Sequence, residues 1–395
     1  MSTDTGRIRA GVIYSAPAPY LKGLFERVAR RPDMDLKVYF LGRSCGVWNY
    51  EMENGGDFPQ EFLDIPSWLP RRRYSLWLHP QIPGKLEDNH FQVVIIAGYF
   101  IPSFLLAIFW CRLRGIPYLL WSESHEGMRR SSLKKALRPF LLSPVLRGAA
   151  GHLAVGAGAQ NYIKMFGIED KRIFHLNHSA DVDRISSLVA QSRPMKEQWK
   201  NRRKMGNGPV ALFVGRIDAE KGIDDLMNAY AAVARGGGDA PALVLVGRGK
   251  LLDAVKERAR REGWSRVYVE GFVPPEKVWE YYAYADFLVL PSREEPYGVV
   301  VQEAMAAGLP VIVTSAVGAA ADFVTEGETG YVIPPGDIKS LAEKIVWFRD
   351  NSSLLEGMRG ACEKAARRFD QNYGERQFVM AVKSAVGMCG GEGVE

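Results

Sequence analysis

Two stretches in the second half of the 395-residue chain place charged side chains at spacings suited to binding an anionic ligand. The first, Gly215-Arg-Ile-Asp-Ala-Glu-Lys-Gly222, follows an apolar run of strand length. Arg216 and Lys221 stand five residues apart in this loop, so both can reach one anionic group, for which a diphosphate is the natural candidate. The same spacing is also explained by a solvated loop in which Arg216 pairs with a neighbouring acid.

The second stretch, residues 291–310, changes from loop to helix along its length. Proline and glycine keep its first part as loop up to Gly298, and residues 299–307 are predicted to be helical. The free amides at the start of such a helix favour a phosphate. Glu295 in the loop and Glu303 on the helix could accept hydrogen bonds from sugar hydroxyls, because an ionised carboxylate is purely an acceptor. Either glutamate alone would be explained equally well as an exposed surface residue.

Short apolar runs alternate with amphipathic segments of helix length along the whole chain. This alternation is typical of strand-helix-strand units and predicts an α/β fold with two doubly wound parallel sheets. In such sheets ligands bind outside the carboxyl ends of the strands, where both stretches would lie. The predicted strands are Arg9–Tyr14, Leu36–Leu41, Val93–Ala97, Tyr118–Trp121, His152–Val155, Val210–Val214, Leu243–Val246, Val267–Val269, Phe287–Leu290 and Val311–Val313.

Four motifs in order resemble the donor half of the retaining GT-B glycosyltransferases of family 4 (glycosyl transferases group 1). They are the Gly-Arg-x-x-x-x-Lys-Gly loop, Val246-Gly-Arg-Gly249, Gly271-Phe-Val273, and Glu-Pro-Tyr-Gly with a glutamate eight residues after its first residue. The resemblance is continuous over residues 209–335. A weaker resemblance in the first half covers Trp121-Ser-Glu-Ser-His125, the Lys/Arg-rich helix expected after it, residues 155–156 and residues 177–183.

The resemblance implies a GT-B architecture of two Rossmann-like domains facing across a cleft. The expected domains are an acceptor-binding domain over 1–187, a donor-binding domain over 188–368, and a tail, 369–395, that packs back on the first. The implied activity is a retaining, metal-independent transfer of a hexose from a nucleotide diphosphate sugar, with UDP favoured and GDP the alternative. The acceptor would be a hydroxyl of a glycan or lipid-linked molecule, in polysaccharide or glycolipid synthesis. The rival hypotheses are a nucleotide-sugar epimerase or another GT-B enzyme without an acceptor, and a carbohydrate-binding protein without turnover.

Residue roles follow from the same resemblance, and no cofactor or metal is implied. Catalytic roles fall to Arg216 and Lys221 on the diphosphate, Glu295 on the transferred sugar, and His125 or Glu123 at the acceptor hydroxyl. The donor-binding set is Gly215, Gly247, Gly249, Phe272, Val273, Gly298, Val299 and Glu303, with Glu303 on the ribose and Phe272–Val273 bordering the base. The proline-rich loop 15–20 departs from the family's glycine-rich turn and offers fewer amide donors, so its role stays open.

Two Asp-x-Asp triplets and a histidine pair could suggest a metal site. Asp33-Met-Asp35 precedes a strand and Asp181-Val-Asp183 falls near the domain boundary, so both are interpreted as solvated loop acids. His175 and His178 lack a third ligand nearby in the sequence and are interpreted as structural.

The basic surplus is confined to the first half of the chain. Residues 1–185 carry 24 Lys and Arg against 17 Asp and Glu, whereas the remainder carries 27 against 28. Between Glu126 and Glu169 there is no acidic residue. The basic segment 129–147 includes apolar side chains, which suits binding to an anionic membrane surface. The alternatives are a solvated basic face and a lining for an anionic glycan. Without a nucleic-acid recognition motif, this local surplus does not predict a nucleic-acid partner.

The chain is expected to be cytoplasmic, in part on the inner face of the membrane. No signal-peptide pattern opens the sequence, and the four cysteines (Cys45, Cys111, Cys362 and Cys389) stand far apart. Residues 93–111 are uncharged over 19 positions, close to the roughly 20 of a spanning helix. Gly98, Pro102 and Ser103 interrupt them, which predicts a strand, a turn and the helix Pro102–Arg114 instead.

Overall fold

The computed structural model describes residues 6–43, 56–65, 76–124, 142–237 and 239–387. Within these residues the chain forms two compact units. The first contains the chain up to Ser179 together with residues from Gln371 onward, and the second contains Ala180–Asp370. The predicted boundary at residue 187 falls inside the helix Val182–Ser192, which packs on other helices of the second unit.

The first unit is built on a parallel sheet whose described strands follow the order β3-β2-β1-β4-β5-β6-β7. The strands are β1 (Ile8–Tyr14), β2 (Met34–Phe40), β3 (Gln60–Phe62), β4 (Val93–Ile96), β5 (Tyr118–Ser122), β6 (Gly151–Val155) and β7 (Ile173–Leu176). The helices of this unit are α1 (Pro19–Ala29), α2 (Ile82–Asp88), α3 (Pro102–Arg114), α4 (helical residues 142–147), α5 (Gly156–Lys164) and α15 (Gln371–Ala385).

The second unit repeats the design with the strand order β10-β9-β8-β11-β12-β13, again parallel. Its strands are β8 (Val210–Val214), β9 (Ala242–Val246), β10 (Val267–Gly271), β11 (Phe287–Leu290), β12 (Val311–Thr314) and β13 (Gly330–Ile333). Its helices are α6 (Val182–Ser192), α7 (Lys196–Arg202), α8 (Ile223–Arg235), α9 (Leu252–Arg261), α10 (Pro275–Tyr284), α11 (Val299–Ala306), α12 (Ala320–Phe323), α13 (Ile338–Asp350) and α14 (Ser352–Arg367).

The strand orders confirm the predicted α/β class with two doubly wound sheets. The central strands are apolar along their whole length because helices cover both sheet faces, and every residue of β4, β9, β11 and β12 is buried. Each order reverses once, between β1 and β4 in the first sheet and between β8 and β11 in the second. A crevice opens at the carboxyl ends of the strands at such a reversal, which is where ligands bind in this class of sheet.

The uncharged stretch 93–111 forms the strand and helix that its breakers predict. β4 ends at Ile96, and α3 begins at Pro102, whose missing amide hydrogen is tolerated in a first helical turn. The helix ends at Gly115, which adopts the left-handed conformation (φ +66°) that favours glycine. Among the helices of the described residues, none combines the length and the apolar character that a membrane crossing requires.

The C-terminal helix α15 packs against α1 and β7 of the first unit. An ion-pair network fixes it: Arg31 binds both oxygens of Asp33, at 2.8 and 3.1 Å, and also Glu375 on α15 at 3.0 Å. Lys383 of α15 lies 2.9 Å from Asp33. The hydrogen bonds from Arg31, joined by that from Lys383, hold the pKa of Asp33 well below its usual range. The network therefore stabilises the fold above the ordinary carboxyl pKa, and this stability is lost as the pH falls through the lowered value.

Candidate functional site

The two predicted ligand-binding loops lie side by side at the switch point of the second sheet. The first, residues 215–222, follows β8, and the second, residues 291–298, follows the adjacent parallel strand β11. The amides of Arg293 and Glu294 donate to the carbonyl of Glu220 at 2.8 and 3.2 Å, which joins the loops directly. Two motifs that are distant in sequence therefore form one surface at the carboxyl edge of the sheet.

Arg216 is held in the first loop by two neighbouring carboxylates. Its Nη1 donates to Asp218 at 3.0 Å, and its Nη2 pairs with Glu220. Asp218 is buried and accepts a second hydrogen bond, at 2.7 Å, from the Lys250 amide in the loop after β9. The guanidinium is thus oriented before any ligand binds, and it remains 34 % exposed for contact with one.

Lys221 forms an ion pair with Glu295 and so connects the two loops through their side chains. Both side chains are largely shielded from water, at 14 % and 12 % exposure. The second loop is anchored further by Arg293, whose Nε and Nη2 donate to the carboxylate of the buried Asp225 on α8 at 2.6 and 2.5 Å. Because a shielded ion pair depends on both partners, this contact fixes the positions of Lys221 and Glu295 together.

Helix α11 begins at this site without a side-chain cap. Gly298 occupies the N-cap position in the left-handed region (φ +93°), and no described side chain hydrogen-bonds the first turn there. The helix runs from Val299 to Ala306, one residue short of the predicted end. Its first amides can therefore donate to an anion placed beside Gly298.

Glu303, one turn further along α11, is paired with a tyrosine. The Tyr282 hydroxyl donates to its Oε2 at 2.8 Å. Burial raises the pKa of the Glu303 carboxyl, and the hydrogen bond from Tyr282 opposes this only in part. Tyr282 is fully buried, so the interaction orients Glu303. This contact could not be predicted from the sequence, because an aromatic residue on an amphipathic helix predicts only core packing.

Gly247 and Gly249 lie where the end of β9 packs tightly against the first loop. A Cβ atom at position 247 would lie 1.8 Å from the carbonyl oxygen of Gly215, and one at position 249 would lie 2.3 Å from that of Ile217. Gly247 also has a φ of +145°, which side chains rarely adopt. Backbone packing therefore requires glycine at both positions, independently of any ligand.

Phe272 and Arg248 form a flat, accessible surface beside the loops. Phe272 is 43 % exposed, and the guanidinium of Arg248 lies 4.1 Å from its ring centroid. Val273 follows and is half-buried. The flat surface suits stacking with a planar ring. Sequence reasoning did not include Arg248, which stands between the two glycines of its motif.

Of the two predicted acceptor-side residues, the structure describes Glu123, which belongs to the first unit. Glu123 directly follows β5, and its Oε1 lies 2.7 Å from Nε2 of His178 and accepts a hydrogen bond from the Tyr14 hydroxyl at 3.4 Å. His178, interpreted from the sequence as structural, therefore contacts a predicted site residue. His125 lies outside the described residues. So does most of the proposed membrane surface 129–147, of which the structure describes only α4.

Three of the four acids in the Asp-x-Asp triplets, Asp35, Asp181 and Asp183, are exposed to solvent as predicted, whereas Asp33 is half-buried. Asp33 belongs to the ion-pair network of α15, Asp181 caps α6 by accepting from the Arg184 amide at 3.2 Å, and Asp183 pairs with Arg367 at 2.5 Å. His175 contacts the Tyr373 hydroxyl at 3.2 Å. Within the described parts of the chain, no group of three or more His, Cys, Asp or Glu side chains is placed to hold a metal ion.

Comparison with known sequences finds a matching family profile and several related proteins. Residues 195–369 match the profile of the family described as glycosyl transferases group 1. The chain is 26 % identical over 254 residues to alpha-D-kanosaminyltransferase of Streptomyces kanamyceticus, covering 62 % of this chain and 65 % of that protein. It is 30 % identical over 186 residues to 2-deoxystreptamine N-acetyl-D-glucosaminyltransferase of Niallia circulans, covering 47 % of this chain and 44 % of that protein. The matched segments thus span less than two thirds of these relatives.

Solved structures match over nearly the whole chain. HepE of Anabaena in complex with UDP superposes with a TM-score of 0.71 at 18 % identity, covering 94 % of this chain and 98 % of that one. Sucrose-phosphate synthase of Thermosynechococcus elongatus gives the same TM-score and coverages at 19 % identity. At this level of identity the likeness shows the fold, which is the GT-B architecture of two Rossmann-like domains. With this fold, residues 195–369 are similar in sequence to the glycosyl transferases group 1 family, whose profile they match.

Proposed function

We propose that the chain is a glycosyltransferase that moves a hexose from a nucleotide diphosphate sugar to a hydroxyl of a glycan or lipid-linked acceptor. The observation that carries the proposal is the ion pair between Lys221 and Glu295 at the switch point of the second sheet. In the proposal, the cation of this pair binds the diphosphate and the adjacent carboxylate binds the sugar hydroxyls. UDP is the favoured nucleotide, since a protein of the same fold binds it, and GDP is the alternative.

In this proposal each part of the site takes one part of the donor. Arg216 and Lys221 neutralise the diphosphate, together with the amides of Gly298 and Val299 at the start of α11. Glu303 accepts hydrogen bonds from the ribose hydroxyls, and the flat surface of Phe272 and Arg248, with Val273 beside it, borders the base. Glu295 accepts hydrogen bonds from the transferred sugar through the oxygen that Lys221 does not occupy.

The proposed transfer takes place on one face of the sugar and needs no metal ion. The bond between the anomeric carbon and the diphosphate oxygen breaks, and the acceptor oxygen forms its bond to the same face. The acceptor's proton passes to the departing diphosphate oxygen. Charge grows on that oxygen in the transition state, so Arg216 and Lys221 stabilise it most when the bond breaks.

The function is tested first by binding of nucleotide sugars. UDP-glucose, UDP-N-acetylglucosamine and GDP-mannose are added in a thermal-denaturation series, where a ligand at about 100 times its Kd adds roughly 2.7 kcal/mol of stability. A UDP-sugar is expected to raise the Tm, and Glu303→Ala to remove most of that shift because the ribose loses its carboxylate partner. The matched control is Glu280→Ala, which removes an exposed glutamate of α10.

The binding test has two contrary outcomes. No shift with any nucleotide sugar contradicts the proposed donor site. A shift with consumption of the donor but no transfer to any added glycan or lipid-linked acceptor favours a nucleotide-sugar epimerase, and a shift without any consumption favours a binding protein.

The stereochemistry of the product tests the mechanism. Retention through a covalent intermediate would need a carboxylate beside the anomeric carbon, as in retaining glycosidases. Glu295 is paired with Lys221 and Glu303 with Tyr282, so neither is assigned that role. The product is expected to keep the anomeric configuration of the donor, as measured by NMR, with no glycosyl-enzyme accumulating. An inverted product contradicts the family-based mechanism, and a sugar adduct on Glu295 or Glu123 by mass spectrometry contradicts same-face attack.

A further inference from the structure

A polar cluster lies at the carboxyl edge of the first sheet, outside the donor loops. Tyr14 ends β1, Glu123 follows β5, and His178 follows β7, so three parallel strands deliver these side chains to one edge. Nε2 of His178 lies 2.7 Å from Oε1 of Glu123, and the Tyr14 hydroxyl lies 3.4 Å from the same oxygen.

The buried side of the cluster holds the carboxylate of Glu123 in place. His178 is 3 % exposed as a side chain, whereas Glu123 is 36 % exposed. The His178 ring is fixed between two aromatic rings, with centroids 4.2 Å from Tyr20 and 6.1 Å from Trp121. Among the described residues, hydrogen bonds reach Glu123 only from Tyr14 and His178, and both use Oε1. Oε2 therefore remains available to a ligand at the exposed end of the side chain.

The cluster also determines which groups Glu123 can bind. Burial raises the pKa of the Glu123 carboxyl, but the charge and hydrogen bond of His178 and the hydrogen bond from Tyr14 outweigh it, so the pKa is lowered overall. Burial keeps the pKa of Tyr14 well above its usual value, so its hydroxyl stays a donor at neutral pH. An ionised carboxylate is an acceptor only, so its free oxygen calls for a donor such as a hydroxyl.

We propose that Oε2 of Glu123 binds and orients the acceptor hydroxyl that receives the sugar, and that His178 is the positioning residue that holds Glu123 for this task. The inference rests on the proposed function and specifies its acceptor side as a neutral polyol or sugar hydroxyl. Glu123 aligns the oxygen for attack, while the proton still leaves to the diphosphate. Tyr20, half-buried beside His178 in the proline-rich loop 15–20, gives that loop a role in shaping the acceptor side.

The test uses water as the acceptor that is always present. UDP release from a saturating UDP-sugar is measured for the full-length protein and for Glu123→Gln, His178→Phe, His178→Gln and His175→Phe. Glu123→Gln is expected to slow release by about 10- to 100-fold, the scale of losing a hydrogen bond to a charged group. His178→Phe keeps an aromatic ring in the stack and is expected to slow release about 10-fold, the scale of one hydrogen bond to a charged group.

Two controls separate positioning from loss of structure. His178→Gln keeps a side-chain donor for Glu123 and should recover part of the loss, which a purely structural role of the ring would not predict. His175→Phe changes the neighbouring histidine, which contacts Tyr373 instead, and should leave the rate unchanged. The Kd for the UDP-sugar should stay within about twofold of the parent in all four variants, because the donor loops belong to the other unit.

The outcomes are distinguishable. If the parent binds a UDP-sugar and Glu123→Gln releases UDP at the parental rate, the inference is wrong and the proposed function stands. The inference is also wrong if His178→Phe and His178→Gln behave like the parent, or if donor affinity falls in step with the rate. If the parent binds no nucleotide sugar, or binds one and releases the nucleotide neither with water nor with any added glycan or lipid-linked acceptor, the proposed function fails and the inference fails with it.

Discussion

Replacing Lys221 with alanine is expected to lower turnover at saturating donor by at least about 100-fold, the scale of losing one well-placed transition-state donor. The departing diphosphate gains charge as the sugar bond breaks, and Lys221 is the cation proposed to meet it. Its loss has a second effect, since Glu295 would lose its ion-pair partner with only 12 % of its side chain exposed to water. That carboxylate would then repel the leaving group. Arg216→Ala should also lower turnover about 100-fold. It should not leave a shielded carboxylate without a partner, because Asp218 keeps its hydrogen bond from the Lys250 amide.

Initial rates of UDP release measure this prediction, and a double-mutant cycle isolates the second effect. The double variant Lys221→Ala, Glu295→Gln should lose less turnover than the product of the two single-variant losses. The reason is that the neutral amide of the introduced glutamine would not repel the departing diphosphate. Arg260→Ala is the control, since that cation is 80 % exposed on α9. Near-parental turnover in both Arg216→Ala and Lys221→Ala would show that the diphosphate is bound elsewhere.

How much of the fold could be predicted depended on where each strand lies in its sheet. β8 and β11, both internal, have the same bounds as predicted, because burial on both faces makes their whole length apolar. Among the described strands, sequence reasoning missed β3, β7 and β13, which all lie at sheet edges, although it found the edge strand β10. An edge strand is partly exposed and needs fewer apolar residues, so Gln-Glu-Phe and Ile-Phe-His-Leu carry too weak a periodic signal.

Some residues of the candidate site could likewise be predicted from the sequence and others could not. Arg216, Lys221, Glu295 and Glu303 could be selected because each belongs to a local motif with fixed spacing. Their partners could not, since the contact of Tyr282 with Glu303 and that of His178 with Glu123 join residues 21 and 55 positions apart. Only the packing of the folded helices and strands brings such residues together. The histidine pair at 175 and 178 was therefore assigned one role from the sequence, although the two side chains have different partners.

Gly247→Ala is expected to destabilise the second unit by several kcal/mol. The new Cβ would lie 1.8 Å from the carbonyl oxygen of Gly215, so the ends of β8 and β9 would have to separate. Overpacking of this kind costs about 1–3 kcal/mol or more, and a side chain at an unfavourable positive φ adds about 1–3 kcal/mol. The sum is a large part of the roughly 5–15 kcal/mol that stabilises a typical folded domain. Thermal denaturation followed by circular dichroism measures the effect.

Gly263→Ala separates the steric clash from the backbone strain. Gly263 also has a positive φ, +67°, but no atom lies within 4 Å of the position its Cβ would take. That variant should lose only about 1–2 kcal/mol, the cost of a left-handed side chain. A glycine needed only for the approach of a ligand would behave differently: Gly247→Ala would keep a Tm close to that of Gly263→Ala and lose only the shift produced by a UDP-sugar. That result would contradict the close packing of the two strand ends. A Tm of Gly247→Ala well below that of Gly263→Ala would instead mean that the fold itself requires Gly247, whether or not a ligand binds there.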